Sequence, residues 1–370
     1  MSQPTSPIRP RPELEHFEIY KPGLAIQQIK RQFGLKEVVK LASNECALGA
    51  SPKAASAYKK LAKDLYRYPE SRSVDLRRAL AERHKRDLGE VIVGAGSDEI
   101  IELLAKAYLT PQDEVIVSAS AFLQYRIAAH LMGARVVTVP LKNWKHDLDG
   151  MAAAVTGRTK LIFIANPNNP TGTYNTETEV NRFLAALPER VLPVFDEAYF
   201  EFASTNADYP DMVSEFKRRP MVVLRTFSKI YGLAGLRVGW GVAPEAVVSE
   251  LDKIRPPFNV SLPAQAAALA AMQDTKHVKK AVELNEKERA AMRAALEKMG
   301  FEVIPSAANF LLFRVEPRTG FEIFERLLRK GIIARVVDEY ALPAFLRVTI
   351  GLPKENKKFL EALREVISQP

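Results

Sequence analysis

The sequence predicts an α/β protein: a large domain on a mostly parallel seven-stranded sheet flanked by helices, joined to a smaller α+β domain. Three observations carry this. Seven short β-branched runs recur between residues 91 and 242, they are apolar throughout rather than alternating, and helical periodicity fills the gaps. A strand that is apolar on both faces belongs in a sheet covered by helices on both sides.

The runs span residues 91–93, 115–117, 136–139, 161–164, 191–195, 221–224 and 238–242. Residues 99–108 and 176–187 are the clearest helices between them. Beyond residue 255 the pattern changes. A long helix is expected over 279–299, with Met292, Leu296 and Met299 on one side and Gly300 at its stop. Strands are expected at 310–315, near 332–336 and at 345–350, with one helix near 321–330 and another at the end. The Arg255-Pro256-Pro257 break is the expected hinge. The organisation therefore reads as an N-terminal arm and part of the small domain (1–49), a large domain (50–255) and a small C-terminal domain (256–370).

Composition bounds the function. A chain of 370 residues is too long for one small domain, and 47% hydrophobic with 26% charged residues excludes a mostly disordered one. Lys and Arg number 53 against 44 acids, a formal charge of +9 that favours anionic ligands. The basic residues are interspersed with acids, as in Glu286-Lys287-Glu288-Arg289, so no nucleic-acid-binding face is expected. Cys46 is the single cysteine, which excludes an internal disulfide and a cysteine-rich zinc site. The five histidines lack metal-ligand spacing, so no metal is expected. No apolar stretch approaches the ~20 residues of a membrane span, and the Pro-rich start lacks the core of a signal peptide. A cytoplasmic protein without a membrane partner is expected.

Four polar clusters fall where predicted strands end, the edge at which open parallel sheets bind ligands. Gly94-Ala95-Gly96-Ser97-Asp98-Glu99 is either a capped turn, with Ser97 as the cap, or a phosphate-binding helix start. Asn166-Pro167-Asn168-Asn169-Pro170-Thr171-Gly172 is either a bare turn or a source of amide donors. Asp196-Glu197-Ala198-Tyr199 ends a buried run, so Asp196 needs a cationic partner, which is either a protein side chain or a protonated ring nitrogen. Thr226-Phe227-Ser228-Lys229 leads into a Gly-rich bend that ends at Arg237. Lys229 there is either a surface residue or a desolvated amine suited to forming an imine.

Taken together, S-K-x-x-G-L-x-G-x-R, N-P-x-N-P-T-G and D-E-A-Y resemble the fold-type-I pyridoxal-phosphate aminotransferases, most closely the histidinol-phosphate aminotransferase branch. The resemblance runs from Ile19-Tyr20-Lys21-Pro22-Gly23 through Leu41-Ala42-Ser43-Asn44-Glu45 and Arg67-Tyr68-Pro69-Glu70 to Leu346-Arg347-Val348-Thr349-Ile350-Gly351. It implies pyridoxal 5′-phosphate as cofactor, held on Lys229 as an aldimine, with Lys229 later shuttling a proton. It implies that Asp196 faces the pyridine nitrogen, that Asn169 and Tyr199 bond the ring oxygen and that Phe122 stacks on the ring. The phosphate would lie among Ala95 or Gly96, Ser97, Asp98, Thr226, Ser228 and Arg237, the first of these acting through backbone N–H groups. Tyr68 would reach it from the other subunit of a homodimer with a shared active site. Arg347 would grip the substrate anion, with Tyr20 and Asn44 lining the substrate pocket.

The implied reaction is ping-pong, between histidinol phosphate or imidazole acetol phosphate and glutamate or 2-oxoglutarate, in L-histidine biosynthesis. An aromatic-amino-acid aminotransferase and a decarboxylase of a phospho-amino acid are the alternatives on the same scaffold. The chain departs from the family pattern at Cys46, Ala95 and Ser120-Ala121-Phe122, and Cys46 is expected near the substrate entrance.

Overall fold

In the computed structural model, which describes residues 10–17, 24–216 and 219–368, the seven apolar runs all enter one sheet. They form β1 (Val91–Gly94), β2 (Glu114–Ser118), β3 (Arg135–Val139), β4 (Thr159–Ala165), β5 (Leu192–Asp196), β6 (Val222–Thr226) and β7 (Gly239–Val242). Their spatial order is β1-β7-β6-β5-β4-β2-β3, and every neighbouring pair is parallel except the two made by β7.

Burial differs between the two edges of the sheet. Every residue of β1, β2 and β6 is buried, whereas β3, at the opposite edge from β1, leaves Arg135 and Thr138 exposed. Alternation within a strand feeds two apolar layers. Val91 and Val93 join one with Leu76, Leu80 and Phe183, while Ile92 joins the other with Ile100, Leu104 and Leu251. Helices Val74–His84 and Glu177–Ala186 thus cover one face, and Ser97–Tyr108 and Glu245–Ile254 cover the other.

The small domain has an antiparallel sheet of β8 (Val303–Ile304), β9 (Phe310–Arg314), β10 (Arg335–Val336) and β11 (Phe345–Thr349), in the order β8-β9-β11-β10. Helices Thr275–Lys298, Gly320–Arg329 and Pro353–Ser368 close its core through Met292, Leu296, Ile323, Leu327, Phe359 and Leu363. The strand expected near 332–336 is two strands. Ile332–Ile333 pairs in parallel with Val39–Lys40, and Arg335–Val336 then turns to pair with β11. The N-terminal segment is thereby stitched to the small domain, with Leu41 in its core.

The change of core does not fall at Arg255-Pro256-Pro257. Helix Leu262–Met272 sets Ala264, Ala267, Ala268 and Ala271 into the large-domain core beside Ala54 and Leu76. Alanine stripes let helices approach closely, so this helix stays on the large domain beyond the Pro-Pro break. The core changes inside Thr275–Lys298, where Ala281 belongs to the large domain and Met292 to the small one.

Candidate active site

The strand-end clusters meet at one edge of the sheet. Asp196 lies beside Ala165, and Gly239 lies between Gly94 and Thr226. The antiparallel β7 presents its first residue where its neighbours present their last. A cavity of about 250 Å³ opens at this edge, with Asp196, Lys229, Phe122, Asn169 and Tyr199 in its wall.

Asp196 is buried, and its carboxylate accepts hydrogen bonds from Tyr125 Oη (2.7 Å) and the Ala198 N–H (3.1 Å). Among the described residues no side-chain cation is ion-paired with it. Burial pushes this carboxyl up to about 6, against the opposing pull of the Tyr125 hydrogen bond. Lys229 lies in the same cavity wall. Its Nζ donates to the Ser43 carbonyl at 3.3 Å and stands 5.7 Å from the centre of the Tyr199 ring. An amine without a carboxylate partner and a carboxylate without a cation therefore share one space.

Tyr125 is a residue the motifs do not single out. It lies three positions after Phe122, in the first turn of the helix Gln124–Leu131, and its ring stacks on Phe163 (4.8 Å, 5°) with Phe122 at its edge (5.6 Å, 84°). Tyr199 accepts from Asn44 Nδ2 at 2.9 Å, which leaves its own O–H to donate elsewhere. Asn44 is buried and stands behind Tyr199 rather than in the cavity wall. Thr349 fixes it, accepting from its backbone N–H (2.9 Å) and donating to its Oδ1 (3.1 Å). Asn44 has φ +56°, a left-handed conformation that asparagine tolerates better than most residues.

At the other end of the cavity, helix Ser97–Tyr108 points its N-terminus inward with Ser97 and Asp98 in the wall. Ser97 is not the cap. Gly96 holds that position at φ +85°, and Ser97 is the first helical residue. Nor are the Ala95 and Gly96 N–H groups open to a ligand. The first donates to Glu99 Oε2 at 2.7 Å and the second to the Gly94 carbonyl at 2.8 Å. The open donors at this helix start are those of Ser97 and Asp98. Arg237 closes the rim, donating to Ser228 Oγ (3.3 Å) and Asp98 Oδ2 (3.0 Å). Burial raises the Asp98 carboxyl, and Arg237 opposes the rise. Thr226 completes this end of the wall, and its Oγ1 accepts from the Ser228 N–H at 3.0 Å. The cradle depends on glycine: a Cβ on Gly239 would stand 2.4 Å from the Ser97 nitrogen.

Arg347, on β11, is buried behind Asn169. Its Nη1 donates to Asn169 Oδ1, its Nη2 donates to the Ala42 carbonyl at 2.9 Å, and its Nε has no partner. Holding Oδ1 on the arginine leaves the Asn169 amide nitrogen as the donor on the other side. Arg335 is the residue opposite Arg347 in the β10–β11 pair, and it donates to Glu339.

Two residues lie elsewhere, and a third falls outside the described residues. Tyr68 is 82% exposed and stacks on Phe258 (4.7 Å, 24°), outside the cavity of its own chain. Tyr20 lies outside the described residues. Cys46 turns away from the expected entrance into a small separate hollow with Phe202, Ala281 and Leu284, and burial raises its thiol.

These features suit pyridoxal phosphate: a buried acid awaiting a cation, an amine facing it, and an anion cradle at a helix start. The model of the class I and II aminotransferases matches residues 36–363. The chain belongs to that family and is a pyridoxal-phosphate-dependent aminotransferase. Within the family it is 47% identical over 351 residues to the histidinol-phosphate aminotransferase of Akkermansia muciniphila, covering 94% of this chain and 96% of that one. It is 43% identical over 351 residues to the enzyme of the same name from Moorella thermoacetica, covering 94% and 90%. Its fold matches the crystal structure of histidinol-phosphate aminotransferase from Sinorhizobium meliloti in complex with pyridoxal 5′-phosphate. There the TM-score is 0.88 and the identity 29%, covering 98% of this chain and 99% of that one. These relatives carry the branch name that the motifs suggest.

Proposed function

We propose that the protein makes L-histidinol phosphate from imidazole acetol phosphate, taking the amino group from glutamate and releasing 2-oxoglutarate, as a step of histidine biosynthesis in the cytoplasm. The observation that carries this reading is that Lys229 and Asp196, neither ion-paired among the described residues, face one cavity. The names of the relatives support the choice of substrate, and they do not favour the aromatic-amino-acid or decarboxylase alternatives.

When bound, the cofactor supplies a ring that takes up the electron pair left on the substrate carbon. Lys229 is the amine that would carry it, and its Nζ would move the proton to and from that carbon. Asp196, held in place by Tyr125, would keep a positive ring nitrogen as its partner, and that charge would relieve the cost of its burial. Tyr199 and Asn169 would donate to the ring oxygen, and Phe122 would cover the ring face. The Ser97 and Asp98 N–H groups, Ser228 and Arg237 would hold the phosphate.

Arg347 would take the substrate anion with its guanidinium, whose Nε is buried without a partner. A phosphate ester and a carboxylate both suit such a fork, so one pocket would serve both half-reactions. Tyr68, exposed beside Tyr66 and Leu65, would reach the phosphate of a second copy and make the homodimer part of the site.

A substrate panel on the purified, cofactor-loaded protein tests the reading. Amino transfer from histidinol phosphate to 2-oxoglutarate should exceed transfer from phenylalanine, and phosphothreonine should release no CO₂. Faster turnover of phenylalanine would overturn the substrate assignment. Intersecting rather than parallel double-reciprocal lines would overturn the two-stage scheme.

A further inference from the structure

Directly behind the cavity lies a buried ionic cluster that none of the roles above uses. Glu197, the residue after Asp196, is fully buried, and Arg225, the residue before Thr226, is 3% exposed. Arg225 Nε and Nη2 both donate to Glu197 Oε2, at 2.9 and 2.7 Å, and Nη2 also reaches Asp211 Oδ1 at 2.6 Å. The other Glu197 oxygen accepts from the Met212 N–H at 3.1 Å. The guanidinium carbon of Arg225 lies 3.3 Å from the centre of the Phe200 ring. Beside the pair, His84, Glu201 and Tyr231 line a hollow of about 70 Å³.

Geometry links this cluster to the reaction. Successive residues of a strand point to opposite faces. Asp196 and Thr226 face the cavity, so Glu197 and Arg225 face the core behind it. The Glu197 N–H donates to the Leu224 carbonyl at 2.8 Å, which extends the β5–β6 ladder to its last step. The ion pair lies just beyond that step. It ties together the ends of the two strands that deliver Asp196 and, three residues after Thr226, Lys229.

We propose that Arg225 and Glu197 are positioning residues whose buried fork sets the placement of the Asp196 carboxylate relative to the Lys229 amine. Stability alone is weak ground for such a pair, since apolar side chains of similar volume often match or exceed a buried ion pair. Apolar side chains lack direction. A guanidinium placing two N–H groups on one oxygen, with an aromatic ring against its face, fixes an angle as well as a distance. Burial pushes the Glu197 carboxyl up to about 7 while Arg225 pulls it down, so removing the arginine alone would leave an unpaired buried acid.

The inference rests on the proposed function, and the test separates the two. The double variant Glu197→Met with Arg225→Met removes both charges at similar volume, while Arg225→Lys keeps the charge and loses the fork. Three quantities are measured: the melting temperature without cofactor, the pH midpoint of the bound cofactor's visible absorbance, and kcat with KM. The double variant should fold and bind the cofactor, with a melting temperature lowered only as far as Asp211 and the buried Glu201 lose their cation. Its absorbance midpoint should move by about half a unit or more, since the charges around the ring are displaced. Its kcat should fall about 10- to 100-fold with a smaller change in KM, as misplaced reacting groups cost rate. Arg225→Lys should show the same changes in part. Wild-type midpoint and kcat in the double variant would overturn the proposal, and so would wild-type values in Arg225→Lys if the double variant does not fold. A wild-type protein with no cofactor absorbance at all would instead overturn the cofactor reading beneath it.

Discussion

Asp196 and Glu197 are neighbours in sequence and both buried, yet their surroundings assign them different parts. Glu197 has its cation in Arg225, whereas among the described residues Asp196 is hydrogen-bonded by a phenol and an amide. The consequences are measurable at single residues. Lys229→Ala should remove the cofactor's lysine-dependent absorbance and lower turnover by orders of magnitude, and normal transamination in that variant would refute the assignment. Tyr125→Phe deletes the one side-chain hydroxyl on the Asp196 carboxylate. The carboxyl should then rise further, and cofactor affinity should weaken about tenfold or more, the cost of losing a hydrogen bond to a buried charge. Equilibrium dialysis against pyridoxal phosphate reads that change. A pH effect follows as well. The Asp196 carboxyl titrates at about 6 when folded, against 3.8 as its ordinary value. The folded chain therefore keeps this proton over a range where the unfolded chain has lost it. Its contribution is fully present below about pH 4 and is gone as pH rises through about 6. Asp196→Asn, measured without cofactor, should raise the melting temperature relative to wild type more at pH 8 than at pH 4.

At the scale of elements, the anion cradle is made by how closely β7 approaches the start of helix Ser97–Tyr108. Only hydrogen fits at Gly239, because a methyl there would meet the backbone of Gly96 and Ser97. Gly239→Ala should therefore push the helix start away. A cost of about 1–3 kcal/mol in stability is expected from such overpacking, together with weaker binding of pyridoxal phosphate. If denaturant melts and cofactor titrations both matched wild type, the cradle would not depend on this contact. The same scale explains the misplaced hinge. Two prolines mark a break in the chain, but the alanine face of Leu262–Met272 decides which core that helix joins.

At the scale of the whole molecule, Tyr68 stacks on Phe258 at the surface, and Tyr66 and Leu65 are exposed beside it in the chain. In the homodimer proposed above, Tyr66→Glu should shift the sedimenting species toward monomer and weaken the cofactor in parallel, because Tyr68 would then have no neighbouring site to complete. A monomer retaining full cofactor affinity would separate Tyr68 from the site. The sequence by itself determined the seven-stranded sheet and the polar clusters that fall at its strand ends. Uniformly apolar runs and strand-end polar clusters are local patterns, and burial on both faces of a sheet leaves few other ways to read them. Tertiary structure alone decided that Tyr125 serves Asp196, that Arg347 holds Asn169 and that Thr349 fixes Asn44. These partners stand 71, 178 and 305 positions apart. Neither helical nor strand periodicity reaches that far. Such pairs are set by which strand ends pack together, and that is a property of the folded chain.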